Sequence, residues 1–106
     1  MPNPSEFANV IAVAKANVFF DGRVVSHTLR MDDGSKKTLG LIYPGQYHFD
    51  TKEPERMDIT AGSCRVRLAG QDWQPYAAGG SFKVAAGSGF DIAVESGIAE
   101  YVCSFG

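Results

Sequence analysis

Glu53-Pro54-Glu55 places two carboxylates on either side of a ring-restricted residue. Proline fixes its own φ and pushes the residue before it toward extended backbone, so the two acids are held near each other. Acids held this way accept hydrogen bonds from sugar hydroxyls or move protons to and from a substrate. The same three residues also read as a solvated acidic turn. Just upstream, Tyr47 and Phe49 lie two apart in Gly45-Gln46-Tyr47-His48-Phe49. In a strand they share a face that alternation turns inward, and Gln46 and His48 then point the other way. The two rings suit an apolar pocket with the Tyr47 hydroxyl as a polar handle. For Phe49, ordinary core is the simpler reading. Tyr43, Tyr76 and Tyr101 are further rings of this kind.

An anion would need local positive charge, and the chain offers Arg23, Arg30, Lys36, Lys37, Arg56, Arg65, Arg67 and Lys83. Arg56 adjoins the acidic pair. Arg65 and Arg67 alternate with Cys64, Val66 and Leu68, so they share a face that reads as solvent or a dimer surface. No glycine-rich loop leads into a helix, and Gly87-Ser88-Gly89 reads only as a turn. An imidazole-based metal centre needs about three imidazoles and a carboxylate facing one way. The chain has His27 and His48 alone, and His48 points away from Tyr47 and Phe49. No metal and no other cofactor is expected.

These groups must be positioned by a small scaffold. The chain has 106 residues, 44% of them hydrophobic, enough for one compact domain. A formal net charge of -2 argues against bulk attraction to nucleic acid. No apolar run approaches the roughly 20 residues that span a bilayer. The N-terminal apolar stretch has no basic segment before it and contains Lys15, so it does not read as a signal peptide. Cys64 and Cys103 make no disulfide framework and read as buried reduced thiols in a cytoplasmic protein.

Short apolar runs separated by glycine turns argue for an all-β chain. Asp21-Gly22, Asp33-Gly34 and Pro44-Gly45 mark turns. Between the first two, Val25, His27, Leu29 and Met31 alternate with Ser26, Thr28 and Arg30. Trp73 reads as packing under a loop. About ten short strands at a spacing of roughly 8–12 residues suggest a sandwich or barrel. Ser5 to Ala16 admits a helical turn at its start, but Val10, Ile11 and Val13 favour a strand.

Taken in order, FFDGRVVSHTL, KKTLG, PGQYHF, EPERMDITAG, Trp73 and Tyr76 before GGSF, and YVCSF resemble the pyrimidine/purine nucleoside phosphorylase family of small cupins. The resemblance runs from about Asn9 to Phe105. It implies a single-domain cupin over residues 1–106, a conical β-barrel or jelly-roll, with 1–8 as a loose N-terminal segment. It also implies a homodimer that splits purine and pyrimidine nucleosides with inorganic phosphate into free base and ribose 1-phosphate. Relative to Gly62, Glu55 falls where a cupin's ligand glutamate sits, and Phe90 where the second motif has a histidine. Lys37 lies inside a matched segment. The expected catalytic set is Glu55, Glu53 and Tyr47. Phe49, Tyr43, Tyr76, Phe90, Tyr101, Lys37 and Arg56 are the expected substrate contacts. The chain departs from the family at Gln46, at His48, in Ala85–Phe90, which lacks the usual proline, and at Gly106. The rival reading is a non-catalytic cupin that binds a small sugar or nucleoside.

Overall fold

A computed structural model describes residues 5–106. Part of the expected loose segment 1–8, residues 1–4, lies outside the described residues. Those residues form eleven strands and one 3-10 turn, Phe20–Gly22. The strands are β1 (Ile11–Ala12), β2 (Asn17–Phe19), β3 (Val24–Arg30), β4 (Lys36–Ile42), β5 (Gly45–Asp50) and β6 (Glu55–Ala61). They continue with β7 (Ser63–Leu68), β8 (Gln74–Ala77), β9 (Ser81–Val84), β10 (Gly89–Val94) and β11 (Ala99–Phe105). No helix among the described residues is long and apolar enough to cross a membrane.

The strands pair antiparallel in two sheets. The larger runs β1-β3-β4-β11-β6-β9, with β2 also on β3, and the smaller runs β5-β10-β7-β8. The expected closed barrel is therefore not formed by the backbone ladders of the described residues. At one side the sheets meet through a corner: β8 of the smaller sheet passes into β9 of the larger one. There Gly79 N–H donates to the Ile59 carbonyl at 2.9 Å and Ala78 N–H to the Gly62 carbonyl at 3.2 Å. Gly62 turns the chain from β6 into β7 at φ +75, and a Cβ there would lie 2.3 Å from the Ile98 carbonyl oxygen, so that turn needs glycine. On the far side, rings replace hydrogen bonds. Phe19 meets Phe49 edge-on at 5.7 Å and Phe20 meets Phe49 at 5.4 Å.

The inward faces make the core: Val24, Ile42 and Ile59 from the larger sheet, Val66, Ile92 and Phe90 from the smaller one, are all buried. Cys64 and Cys103 are both free and buried, on strands of different sheets. Trp73 lies beside the guanidinium groups of Arg65 and Arg67, 5.4 and 4.8 Å from its ring centroid. Those two arginines alternate with inward Cys64 and Val66 and give the indole a flat cationic bed.

The β3 alternation holds, and the structure decides which face is inner. Ser26 is 3% exposed and faces the inter-sheet space with Val24, whereas His27 is exposed on the outer face. The outer face of the larger sheet is apolar too: Leu29, Leu41 and Val102 line a depression there with Phe7 and Val10 of the N-terminal segment. Val13 N–H donates to the Thr28 carbonyl at 2.8 Å and anchors that segment.

Candidate functional site

The two sheets leave a cavity of about 310 Å3 near their ring-closed side. Each wall follows from strand alternation. On the larger sheet the inward positions are Asn17 on β2, Ser26 and Thr28 on β3, Lys36 and Thr38 on β4, Cys103 on β11 and Glu55 on β6. Register sets them side by side: Thr28 opposes Thr38, Thr38 opposes Cys103, and Phe105 opposes Glu55. The result is a polar wall. The smaller sheet contributes Phe49, Phe90 and Ile92, together with the largely exposed Asp50 at the end of β5. Phe49 and Phe90 lie on paired strands with centroids 5.7 Å apart and planes 25° from parallel. That wall is aromatic.

Glu55 stands at the first residue of β6, and the loop before it is pinned. Thr51 Oγ1 donates to the Ala85 carbonyl at 2.6 Å and accepts from Ser88 N–H at 3.1 Å. Beyond it, Gly106 N–H donates to the Pro54 carbonyl at 2.9 Å. With both sides tied, the carboxylate has a defined aim into the cavity. Cys103 Sγ donates to Glu55 Oε1 at 3.4 Å. Burial raises the Glu55 carboxyl above its ordinary value, and the Glu53 charge adds to this; the thiol hydrogen bond and Lys36 oppose it. Burial, then the Glu55 charge, pushes the Cys103 thiol far up, so it remains a protonated donor.

Further along the polar wall, Asn17 Nδ2 donates to Ser26 Oγ at 3.2 Å and to Thr28 Oγ1 at 3.1 Å. Tyr101 lies against Gly40 of β4, where a Cβ would overlap its ring. Burial raises its phenol to about 12, so it stays neutral at the cavity's inner end.

Of the residues expected from sequence, Glu55, Phe49, Phe90 and Tyr101 meet on this cavity. Glu53 is exposed on the loop before it, near enough for its charge to be felt by Glu55. The others are elsewhere. Tyr47 is buried, and its hydroxyl is directed at the Tyr43 and Pro44 carbonyls at 2.8 and 2.9 Å, which fastens the β4–β5 turn. Tyr43 is exposed at that turn. Tyr76 packs on Phe82 at 5.0 Å, away from the cavity. Lys37 points to the outer face and donates to Ser104 Oγ at 2.6 Å. Arg56 also faces outward, with Asp58 at 3.3 Å and Ser81 at 3.4 Å.

Both imidazoles face away from the cavity. His27 Nδ1 lies 3.2 Å from the Val13 carbonyl. His48 bridges Asp91 and Asp50, each at 2.9 Å, on the outer face of the smaller sheet. Sequence reading did not single out Asn17, Thr28 or Thr38, and it named Lys36 only as one of eight basic residues and Cys103 only as a buried thiol. In β4 the inward series Lys36, Thr38, Gly40, Ile42 is half polar, and nothing in it marks it as a lumen face. Only the pairing of β4 with β11 reveals it.

Residues 14–105 match the family described as pyrimidine/purine nucleoside phosphorylase. The chain is 54% identical over 102 residues to a protein of that name from Cupriavidus necator, covering 95% of this chain and 96% of the relative. It is 53% identical over 103 residues to one from Methylococcus capsulatus, covering 96% and 99%. Among solved structures, a protein of unknown function from Acinetobacter superposes with a TM-score of 0.93 at 40% identity, covering 97% of this chain and all 100% of the other. An oxalate decarboxylase from B. subtilis superposes with a TM-score of 0.74 at 13% identity, covering 98% of this chain and 30% of that one. The latter likeness is one of cupin-like fold alone.

Proposed function

The chain belongs to the pyrimidine/purine nucleoside phosphorylase family, and from that we propose that it splits nucleosides with inorganic phosphate. An oxygen of hydrogen phosphate forms a bond to the anomeric carbon while the carbon–nitrogen bond to the base breaks. The bonding pair leaves with the base nitrogen, which takes up the proton that hydrogen phosphate brought. The products are free base and ribose 1-phosphate. As in glycoside cleavage, the sugar passes through a cationic, oxocarbenium-like state.

One observation carries the reading: an aromatic wall faces a polar wall that holds a half-buried, pinned carboxylate. Stacking on Phe49 and Phe90 suits any base, purine or pyrimidine, because every base has a π-face. Glu55 grips the ribose hydroxyls and, once ionised, offsets the charge that develops on the sugar ring. The volume is within the range of small-molecule sites. The step uses no metal in this reading; a carboxylate, a thiol, hydroxyls and an amine do the holding.

The finer architecture in this reading is a cupin jelly-roll in one domain, working as a cytoplasmic homodimer. Exposed Ile11, Val18 and Leu39 on the larger sheet support the dimer, and two free buried thiols suit a reducing compartment.

The test is release of free base from inosine and uridine by purified protein. The reading requires release that depends on phosphate. A nucleoside that binds and is never turned over would make the protein a non-catalytic binder.

A further inference from the structure

We propose that Lys36, with the hydroxyls of Thr28 and Thr38, is the subsite that holds inorganic phosphate; this rests on the phosphorolytic reading above. Among the described residues, Lys36 is the one cation lining the cavity. Arg30 stands directly opposite Lys36 on β3 but does not line the cavity, and four further basic residues are engaged elsewhere. Lys37 is bound to Ser104 on the outer face, Arg56 to Asp58, Arg65 to Glu95 and Arg67 to Asp91. Lys36 makes no ion pair among the described residues. Its amine lies 4.3 Å from the Phe105 ring centroid, a contact that fixes its direction and spends none of its three N–H donors on an oxygen.

The neutral donors stand beside it. Thr38 is one inward step along β4 from Lys36, and Thr28 is directly opposite Thr38 on β3. Thr28 Oγ1 accepts from Asn17 Nδ2 at 3.1 Å, which leaves its own hydrogen to donate into the cavity. An ammonium and two hydroxyls on one short stretch of wall match the several acceptor oxygens of a phosphate. Placement suits the reaction as well. Phe105 sits between Lys36 and Glu55, because it opposes Glu55 on β6 and follows Ser104, the partner of Lys37. Phosphate on Lys36 and ribose hydroxyls on Glu55 would then lie on either side of the bond that forms. Lys36 also screens the two negative charges from each other.

The chemistry asked of Lys36 is binding and orientation: phosphate oxygen forms the bond to the anomeric carbon, and Lys36 keeps its proton throughout. The experiment uses the full-length protein and its Lys36→Met and Lys36→Arg variants. Initial rates are measured against phosphate at saturating nucleoside, and against nucleoside at saturating phosphate. Lys36→Met raises the phosphate KM by about tenfold or more and leaves the nucleoside KM within about twofold; Lys36→Arg recovers part of the loss. Separately, 31P line broadening of inorganic phosphate is followed without nucleoside. Broadening by the native protein that is lost in Lys36→Met supports the subsite. Equal broadening in both, broadening in neither, or an unchanged phosphate KM overturns it. If the native protein releases no base, the phosphorolytic reading fails, and the 31P comparison still decides the subsite.

Discussion

The Cys103 thiol donates a hydrogen bond to Glu55 Oε1 at 3.4 Å, diagonally across the paired strands β11 and β6. A thiol held far above neutral titration cannot compete for the proton, so it acts on Glu55 only as a donor to the charged form. It opposes the burial that raises the Glu55 carboxyl. Cys103→Ala should therefore move the Glu55 titration to higher pH, and Cys103→Ser should move it less. The carboxyl carbon signal of Glu55 followed by NMR reads this directly. An unchanged midpoint in Cys103→Ala would show that the contact has no electrostatic weight.

Glu55→Gln separates function from stability. Loss of the charge should lower kcat/KM by more than about tenfold, equivalent to roughly 1.4 kcal/mol of transition-state stabilisation. Because the folded-state value of Glu55 is raised, its contribution to stability is full below the ordinary value of 4.5 and is lost as pH rises through the raised value. The ionised acid is thus a cost at neutral pH. Thermal melts at neutral pH should show Glu55→Gln at least as stable as the native chain. A lower midpoint would contradict that account.

Tyr47 was an expected catalytic residue, yet its hydroxyl is directed at two carbonyls of the β4–β5 turn. Tyr47→Phe should cost about 1 kcal/mol of stability. Its kcat/KM should stay within about twofold of native. A large loss of kcat with unchanged stability would return the hydroxyl to the mechanism.

Gly40 gives the Tyr101 ring its seat on the polar wall. A methyl there meets the ring, and β4 is held between β3 and β11, so it cannot yield freely. Gly40→Ala should destabilise by about 2 kcal/mol, within the range for overpacked cores. Tyr101→Phe leaves the ring in place and should not. Denaturant unfolding of the two variants makes the comparison.

His48 lies between two carboxylates on the outer face. Its hydrogen bond to Asp91, then that to Asp50, raises it above the usual 6.5. Asp91 is lowered from 3.8, first by His48 and then by Arg67. The His48 contribution is full below 6.5 and is lost as pH rises through the raised value. The Asp91 contribution is full above 3.8 and is lost as pH falls through the lowered value. The pair therefore supports the fold most between those limits. Imidazole proton signals should titrate above 6.5 in the native chain and fall toward it in Asp91→Asn. An unshifted imidazole would mean the bridge is not maintained in solution.

The fold class was legible in the sequence because strands and turns are local. Glycine turns at Gly34, Gly45 and Gly62 and the period-two runs around them come from backbone sterics and side-chain alternation. The same local rules placed Tyr47 and Phe49 on an inward face, whereas Glu55 was marked by its place in the family's pattern relative to Gly62. The family resemblance was legible as well, being a matter of residue order. Sheet closure was not. Two sheets that meet through a glycine corner on one side and through rings on the other give the same strand pattern as a barrel.

The division of labour among charged residues was also out of reach. Alternation says that Lys36 and Lys37 face opposite ways, but not which of them faces a cavity. That depends on which neighbour β4 pairs with and on which side the second sheet lies. This sheet buries apolar residues on both faces, so apolar alternation in β3 and β4 does not mark the inner side. The sequence by itself determined the strands, the turns and the family. The tertiary structure alone decided that Lys36, Thr38, Cys103 and Glu55 share one wall, since cross-strand register is a long-range contact that no local pattern encodes.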